Sequence, residues 1–406
     1  MATENPNPET GKINLFASEF VTHPQPVYRW ARTQCPVARA VLTESPVLSR
    51  YEDVMWALRH PEIFSSEMDL QMALGTERPM IPQQIDPPAQ TRYRKILDPR
   101  FSRKRMAVIE PDVRRQAKAL IDKLVDLGEC EFDRDFAIPL PCTAFLSLLG
   151  LPQADLDFFL DLKNGIIRPK VEPGDLEAAA ATRAASGRQI YAYFEKVLDE
   201  RAAQPRDDLL TYFLQARIKG DKLSRNEVLD ICFLFLLAGL DTVTATLGCS
   251  MAYLAANPEQ QQRIVADPDL IPGAVEELLR WETPVMVVPR VVKQDVTVHD
   301  FEIKKGEVVT LLLGASNTDE SEFPDPEVVD FARKRNRHIA FGAGPHRCLG
   351  SHLARMELQV ALEEWHRRIP AYAVKPGETP RYAPGIREVQ YLPLVWETNA
   401  GAAKAR

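Results

Sequence analysis

The segment at residues 341–350 constrains this chain most, because it packs three glycines around Cys348 and leads directly into a helical pattern. A loop this rich in glycine allows the backbone to approach another group closely. The apolar spacing that follows predicts a helix over residues 351–367. The segment therefore predicts a tight loop that presents one thiol near the start of a helix.

Three roles are open to Cys348 on these residues alone. Unpaired N–H groups and the dipole at a helix start favour a thiolate, which is a metal ligand or a nucleophile. A nucleophilic cysteine needs a base, and His346 is two residues away, but that role leaves the glycine framework unexplained. The third possibility is a buried structural cysteine beside a helix.

The longest apolar stretch begins at a predicted capping box, Ser224 to Glu227, and ends near Pro258. Its apolar run at residues 231–256 raises the possibility of a transmembrane helix. We reject it because Asp241 lies in the middle, where a carboxylate costs roughly 2.5–3.5 kcal/mol to insert. We expect a long buried core helix.

A polar notch is predicted inside this helix. Gly239 weakens the helix, and Thr242 lies four residues after Ala238, so its hydroxyl can bond the Ala238 carbonyl and open the helix locally. Asp241 and Thr242 together form an acid–alcohol pair. The alternative is a back-bonded threonine beside an incidental aspartate.

The chain is predicted to form one continuous domain over residues 1–406, because no repeat, charge block or Gly/Ser linker interrupts it. The predicted fold class is mainly α with small β-sheets. Residues 1–20 are expected to be poorly ordered and residues 399–406 to form a tail. Strands are predicted at 37–42, 46–48, 287–292, 296–303 and 307–313, and helices at 108–127, 176–202, 207–216 and 273–281. A further helix is predicted to open at a capping box at residues 49–52 and to stop before Pro61.

Composition excludes several classes of protein. Fifty Lys plus Arg against 57 Asp plus Glu give a net charge of −7, so no global positive field attracts nucleic acid or anionic lipid. Six cysteines are too few for a disulfide scaffold in a chain of 406 residues, and none form a C-x-x-C pair. This favours a reducing, cytoplasmic location. The first fifteen residues lack the features of a signal peptide, so no membrane anchor is expected.

Four motifs, in order and spacing, resemble those of the cytochrome P-450 family. Residues 341–350 match its heme-binding pattern Phe-Gly-x-Gly-x-His/Arg-x-Cys-x-Gly, and residues 238–242 match Ala-Gly-x-Asp-Thr. Glu277 and Arg280 match its Glu-x-x-Arg motif, and Arg333 matches the third, loop-borne member. The resemblance covers nearly the whole chain. It implies that family's single-domain, mainly α fold, with heme b between the long helix and the helix after Cys348, as in soluble bacterial members.

The resemblance also implies roles for single residues. Cys348 thiolate would be the axial ligand of the heme iron, because an anionic sulfur donates electron density that favours O–O cleavage. Thr242 would stabilise bound oxygen and Asp241 would help deliver protons. Glu277, Arg280 and Arg333 would form a structural ion-pair network, although without this context such a helix pair is usually a solvated surface feature.

Further contacts follow from family position. Heme propionates need cationic or donor partners when partly buried, and the candidates are Arg94, Arg290, His346 and Gln90, the last standing where the family often has histidine. The remaining expected heme contacts are Phe341, Gly342, Gly350 and Ala238. The expected substrate contacts are Leu70 in the loop at 68–80, Leu234, Leu237, Ala238, Val285, Met286, Val288 and Ile386. Because these are apolar, they suit a terpenoid, a fatty acid or a steroid.

The sequence thus predicts a heme-thiolate monooxygenase that inserts one atom of O2 into a lipophilic small molecule and reduces the other to water. The alternatives are a heme-thiolate peroxygenase or isomerase, and a non-catalytic heme-based sensor or ligand carrier. The pair Asp241–Thr242 argues against both, because neither needs a proton relay to dioxygen.

The electrons would come from NAD(P)H through a ferredoxin reductase and a ferredoxin, since the heme domain leaves no room for a redox module. Basic residues cluster in two places, at Arg100, Arg103, Lys104 and Arg105, and at Arg335, Arg337 and Arg347. We expect an acidic ferredoxin to dock there, on the proximal face, although a short charge run is usually only solvated. A monomer is expected.

Overall fold

The computed structural model describes residues 5–68, 74–172, 174–218 and 220–398, and it is rich in helix, at 53%. The helices are α1 (Ser18–Thr22), α2 (Gln25–Thr33), α3 (Tyr51–Arg59), α4 (Ala89–Leu97), α5 (Arg103–Leu124), α6 (Pro139–Leu149), α7 (Leu156–Ile167), α8 (Leu176–Ala203), α9 (Leu209–Gln215), α10 (Arg225–Gly239), α11 (Thr242–Ala256), α12 (Pro258–Ala266), α13 (Ile271–Glu282), α14 (Leu313–Ser316) and α15 (Ser351–Arg368).

The strands are short and belong to small sheets. They are β1 (Lys12–Ile13), β2 (Val37–Ala40), β3 (Pro46–Leu48), β4 (Phe64–Ser65), β5 (Glu129–Glu131), β6 (Arg217–Ile218), β7 (Asp221–Lys222), β8 (Val287–Val292), β9 (Val296–Val298), β10 (Phe301–Ile303), β11 (Val308–Leu312), β12 (Ala373–Val374), β13 (Arg381–Ala383), β14 (Glu388–Tyr391) and β15 (Pro393–Val395). The mainly α fold with small sheets is confirmed.

Among the described residues, the largest sheet joins four strands from the first 65 residues, β1 to β4, to the later strands β8 and β11. It has the strand order β1-β2-β3-β11-β8-β4, and β8 pairs antiparallel with β11 from Val291↔Val308 to Val287↔Leu312. The run predicted as one strand at 296–303 is instead a hairpin of β9 and β10, because His299 takes a positive φ of 53° at the turn. Residues 5–20 are packed as well, since β1 pairs with β2 and Phe20 is buried against Tyr28.

The capping box predicted at Ser49 is wrong. The Ser49 hydroxyl donates to the Pro36 carbonyl at 3.3 Å, and α3 begins at Tyr51 without a side-chain cap from its own segment. The Tyr51 N–H instead donates to Asp319 Oδ2 at 2.7 Å. A carboxylate far away in sequence therefore replaces the local cap.

The long apolar helix lies in the core of the protein. The segment Arg225–Ala256 is long and apolar enough to cross a membrane, but 78% of its most apolar window is buried inside the protein. Its amino terminus is the predicted capping box, with Glu227 N–H donating to Ser224 Oγ at 3.2 Å and Ser224 N–H donating to Glu227 Oε2 at 2.6 Å. Both the core helix and its cap are confirmed.

Candidate functional site

The long helix is interrupted at the predicted notch. α10 ends at Gly239 and α11 begins at Thr242, and the Thr242 hydroxyl donates to the Ala238 carbonyl at 2.9 Å. A Cβ at Gly239 would lie 2.6 Å from the Phe145 ring, so only glycine fits there. The hydroxyl back-bond and the close approach at glycine together account for the local opening.

One face at this opening is accessible although the surrounding helix is buried. Ala238 is exposed, and Leu234 and Thr242 are half-buried, at a spacing of four residues. Because residues four apart lie on the same helix face, the Leu234 and Ala238 side chains share one face of α10, and Thr242 follows Ala238 across the break. A hydroxyl thus stands at the end of an apolar stripe.

Asp241 is turned toward other elements. Its carboxylate is fully buried and accepts hydrogen bonds from Lys163 Nζ at 2.7 Å and from Arg168 Nη1 and Nη2 at 3.2 and 3.3 Å. Burial acts to raise its pKa, but these two cations outweigh burial and hold the pKa below its usual range. Arg168 also pairs with Glu388 at 2.6 Å. Asp241 is therefore held ionised, tied to the end of α7.

The glycines of the cysteine loop serve two purposes. Gly344 has a φ of 66°, and a Cβ there would lie 2.2 Å from the Leu58 carbonyl oxygen, so it permits close packing against α3. Gly342 and Gly350 behave differently, because a Cβ at either position meets no atom within 4 Å. The loop packs tightly on one side and borders open space at those two glycines.

The thiol of Cys348 is free and exposed, three residues before the first residue of α15. Its N–H donates to the Phe341 carbonyl at 2.8 Å, which closes the loop on itself. Although Cys348 borders accessible space, the protein atoms packed around its sulfur limit hydration and raise the pKa of the thiol, against the opposing effects of the Gly350 N–H and nearby arginines. The expected helix-start stabilisation of a free thiolate is thus outweighed, and binding a metal ion is what deprotonates such a thiol.

The predicted ion-pair network is present and fully enclosed. Glu277 and Arg280 are both 0% exposed, and their side chains form two hydrogen bonds of 2.7 and 2.9 Å. Arg333 Nε reaches both Glu277 oxygens, at 3.0 and 3.1 Å. Since Arg280 also donates to the carbonyls of Asn317, Pro326 and Val328, the network ties α13 to the loop at 317–333.

Sequence reasoning missed a member of this network and a second network beside it. Asn336 Nδ2 donates to Glu277 Oε2 at 3.0 Å. Glu276, next to Glu277, binds His338 and Arg355 on either side of the cysteine motif. The only sequence signal was the doubled glutamate, which does not by itself name partners.

Two of the four predicted propionate contacts are used within the protein. The Gln90 amide donates to the Pro345 carbonyl at 2.7 Å, and Arg94 donates to the Arg347 carbonyl at 2.9 Å while its Nε pairs with Asp98 at 2.8 Å. Gln90 thus holds the cysteine loop through one hydrogen bond, and its contact with a propionate stays a prediction.

Arg290 and His346 keep unused donor capacity in a buried place. Within the described part of the chain, Arg290, at 9% exposed, donates only to its neighbour's carbonyl, Pro289 O, at 2.7 Å. His346 Nε2 is buried and has no hydrogen-bond partner among the described residues, since Asp86 Oδ1 is 3.7 Å away. Burial lowers the pKa of Arg290 to about 10, and burial with the nearby charge of Arg290 lowers that of His346 to about 4. A cation with unused N–H groups and a neutral imidazole therefore lie close together, with Asp86 as the nearby anion.

These residues fit a heme. Cys348 supplies a free thiol, Gly342 and Gly350 leave room, and Arg290 and His346 offer the unmet donors that a propionate needs. Phe341, the first residue of the loop, is half-buried.

The predicted substrate contacts divide into groups. Leu234 and Ala238 lie on the accessible helix face, and Val285, Val288 and Ile386 are half-buried. Leu237 is 6% exposed and belongs to the main core. Met286, at 2% exposed, packs in the core cluster of Phe20 and Tyr28. Leu70 lies outside the described residues.

Comparison with known proteins gives consistent matches. The family model described as Cytochrome P450 matches residues 175–368. "Probable cytochrome P450 127A1" of Sinorhizobium fredii is 38% identical over 82% of this chain and 79% of its own length. The "Steroid C26-monooxygenase" of Mycobacterium tuberculosis is 34% identical over 91% of each chain.

A solved structure agrees with the fold. The structure of CYP109E1 from Bacillus megaterium in complex with testosterone superimposes with a TM-score of 0.87 at 28% identity, over 94% of this chain and 100% of the other.

Proposed function

Because the chain belongs to the cytochrome P450 family and is an oxygen-incorporating oxidoreductase, we propose that it hydroxylates or epoxidises a steroid-sized lipophilic molecule. Members of the family bind heme b through the cysteine thiolate. When bound, the heme supplies the activation of dioxygen. Cys348 would hold it, with Arg290 and His346 at its propionates.

The observation that carries the proposal is the accessible stripe of Leu234, Ala238 and Thr242 in the mostly buried apolar part of the long helix. The apolar side chains would contact the lipophilic substrate and exclude water. The Thr242 hydroxyl places a proton donor and acceptor at the end of the stripe. This arrangement favours a monooxygenase over a peroxygenase, an isomerase or a ligand carrier, because those proteins need no hydroxyl at this position.

Proton supply to this hydroxyl is assigned to Asp241. Since its carboxylate is held by Lys163 and Arg168, it must exchange at least one of these partners to move a proton toward Thr242. The hydrogen bonds of Asp241 therefore predict that proton delivery depends on movement at the end of α7.

The substrate class is chosen from the apolar stripe together with the relatives, one named for steroid oxidation and one solved with testosterone. The test is a ligand panel of a steroid, a long-chain fatty acid and a terpenoid, scored by displacement of water from ferric heme iron. We expect the steroid to bind most tightly. Tighter binding of the fatty acid or the terpenoid would replace the steroid with that class.

The electron donor is proposed to be a ferredoxin that receives electrons from NAD(P)H through its reductase. Arg103, Lys104, Arg105 and Arg347 are exposed. The positive charges of Arg347 and Arg103 both act on His352, which supports one continuous basic surface beside the cysteine loop. Arg100 stacks 3.5 Å above the Tyr212 ring, and Arg335 pairs with Glu322 at 3.1 Å, so these two contribute less. We also propose that the protein is a monomer and is located in the cytoplasm.

A further inference from the structure

Glu276 and Glu277 are adjacent on α13 but serve different networks. The Glu276 carboxylate accepts two hydrogen bonds from one guanidinium, Arg355 Nε to Oε1 at 2.6 Å and Arg355 Nη2 to Oε2 at 2.8 Å. His338 Nε2 lies 3.1 Å from Oε2. One carboxylate of α13 therefore joins the segment before the cysteine motif to the helix after it.

His338 has a defined orientation in this network. Its Nδ1 accepts the Ala340 N–H at 3.3 Å, which leaves Nε2 as the N–H that donates to Glu276. The side chain is 2% exposed. Burial acts to raise the pKa of Glu276, but the hydrogen bonds from His338 and Arg355 bring it to about 2, so the carboxylate is ionised at neutral pH.

The network reaches the cysteine through Phe341. The Arg355 guanidinium carbon lies 4.5 Å from the centroid of the Phe341 ring, and the His338 ring centroid lies 6.0 Å from it. The Phe341 carbonyl accepts the Cys348 N–H at 2.8 Å. Contacts thus run without a gap from Glu276 through Arg355 to Phe341 and to the backbone of Cys348.

Arg355 also brings a positive charge to the side of the cysteine loop, because its guanidinium lies against the Phe341 ring. Its two hydrogen bonds to Glu276 place a negative charge beside it, so the carboxylate determines how much of that positive charge is balanced.

We propose that Glu276, with Arg355 and His338, is a positioning residue that fixes Phe341 and balances the charge near Cys348, and thereby sets the reduction potential of the heme. The inference rests on Cys348 being the heme ligand, as proposed above. Neither the resemblance of the motifs nor the Glu277 network requires it.

The test is a potentiometric titration of the purified, heme-loaded protein, in which dithionite supplies one electron to each ferric heme. Positive charge stabilises the reduced heme, because reduction adds a negative charge. Glu276→Gln leaves the charge of Arg355 unbalanced, so we expect a more positive midpoint potential. Arg355→Ala removes that charge and leaves the carboxylate, so we expect a more negative one.

A loosened loop cannot give this result, because both substitutions would then shift the potential in the same direction. The control is Arg367→Ala, also on α15, where Arg367 pairs with Glu364 and is 57% exposed. Shifts of equal sign, or shifts no larger than that of Arg367→Ala, overturn the proposal. If Glu276→Gln does not fold, Arg355→Lys decides, since it keeps the charge and should stay closer to wild type than Arg355→Ala.

The wild-type spectrum separates this proposal from the one on which it rests. If the wild-type protein shows no thiolate-ligated heme, the heme assignment fails. If the wild type shows it and the two substitutions do not move the potential in opposite directions, only the role of Glu276 fails.

Discussion

Thr242 and Asp241 are neighbours in the chain, yet their side chains have separate partners. Thr242 bonds the backbone of α10 and borders open space, whereas Asp241 is enclosed by Lys163 and Arg168. The hydroxyl is therefore the more accessible of the two groups, and the carboxylate beside it is enclosed by cations.

Thr242→Ala tests the hydroxyl directly. We expect heme and substrate binding to persist while most electrons are diverted from product to peroxide, because the proton-donating group is lost. The measurement is the ratio of product and of peroxide to NAD(P)H consumed. Thr246→Ala is the matched control, because Thr246 makes the same back-bond, to Thr242 O at 2.7 Å, but is buried. Unchanged coupling in Thr242→Ala would contradict the assigned role.

Asp133 predicts a pH effect on stability. It is 7% exposed, its Oδ1 has no hydrogen-bond partner in the part of the chain that the structure describes, and burial, together with the charges of Glu388 and Glu131, raises its pKa to about 8. Between about pH 4 and pH 8 the folded state keeps a proton that the unfolded state has released, so this group's stabilising contribution falls as pH rises.

Asp133→Asn removes that dependence. Relative to wild type, its free energy of unfolding should increase with pH across this window, by up to about 1.4 kcal/mol per pH unit. Urea denaturation at a series of pH values measures it. A difference between the two proteins that stays flat from pH 4 to pH 8 would show that Asp133 does not hold the proton.

Individual helices and strands show which features can be predicted from sequence alone. β8 occupies the predicted residues 287–292, because its β-branched run is bounded by Pro284 and a polar turn. The sequence predicts the cap at Ser224 because both of its partners lie within four residues. It does not predict the cap at Tyr51, because the acceptor, Asp319, is far away in sequence. The same reason separates the site residues. Cys348, Thr242 and Glu277 stand in motifs, but Glu276, Asn336 and the bracing role of Gln90 depend on tertiary contacts.

The capping box gives an element-scale prediction. Ser224→Ala should lower the free energy of unfolding by about 1 kcal/mol, because the Glu227 N–H loses its acceptor. Ser102→Ala is the matched control, since Ser102 also precedes a long helix, α5, but makes no side-chain cap bond. Urea unfolding of both variants measures the difference, and equal losses would count against a stabilising cap at Ser224.

At the scale of the whole molecule, a net charge of −7 coexists with a basic surface beside the cysteine loop. Local charge, not net charge, governs docking when the partner is close, because screening limits its range. An acidic ferredoxin is therefore expected to associate with this surface faster at low salt.

Charge reversal tests this docking surface. Arg103→Glu, Lys104→Glu and Arg347→Glu, combined, should slow reduction by ferredoxin at low salt. The effect should shrink as the Debye length falls from about 10 Å at 0.1 M to about 3 Å at 1 M. Arg188→Glu, an exposed position on α8, is the control. Equal low-salt rates for the wild type and the triple variant would place the docking surface elsewhere.

Cys348 is proposed to supply the thiolate that holds the heme. The direct measurement is the carbon-monoxide difference spectrum of the reduced protein, recorded for wild type, Cys348→Ser, Cys348→His and the control Cys35→Ser, which replaces a half-buried cysteine outside the loop. We expect the thiolate-type spectrum in wild type and Cys35→Ser, and its loss in both Cys348 substitutions. A thiolate-type spectrum in Cys348→Ser or Cys348→His would show that Cys348 is not the ligand.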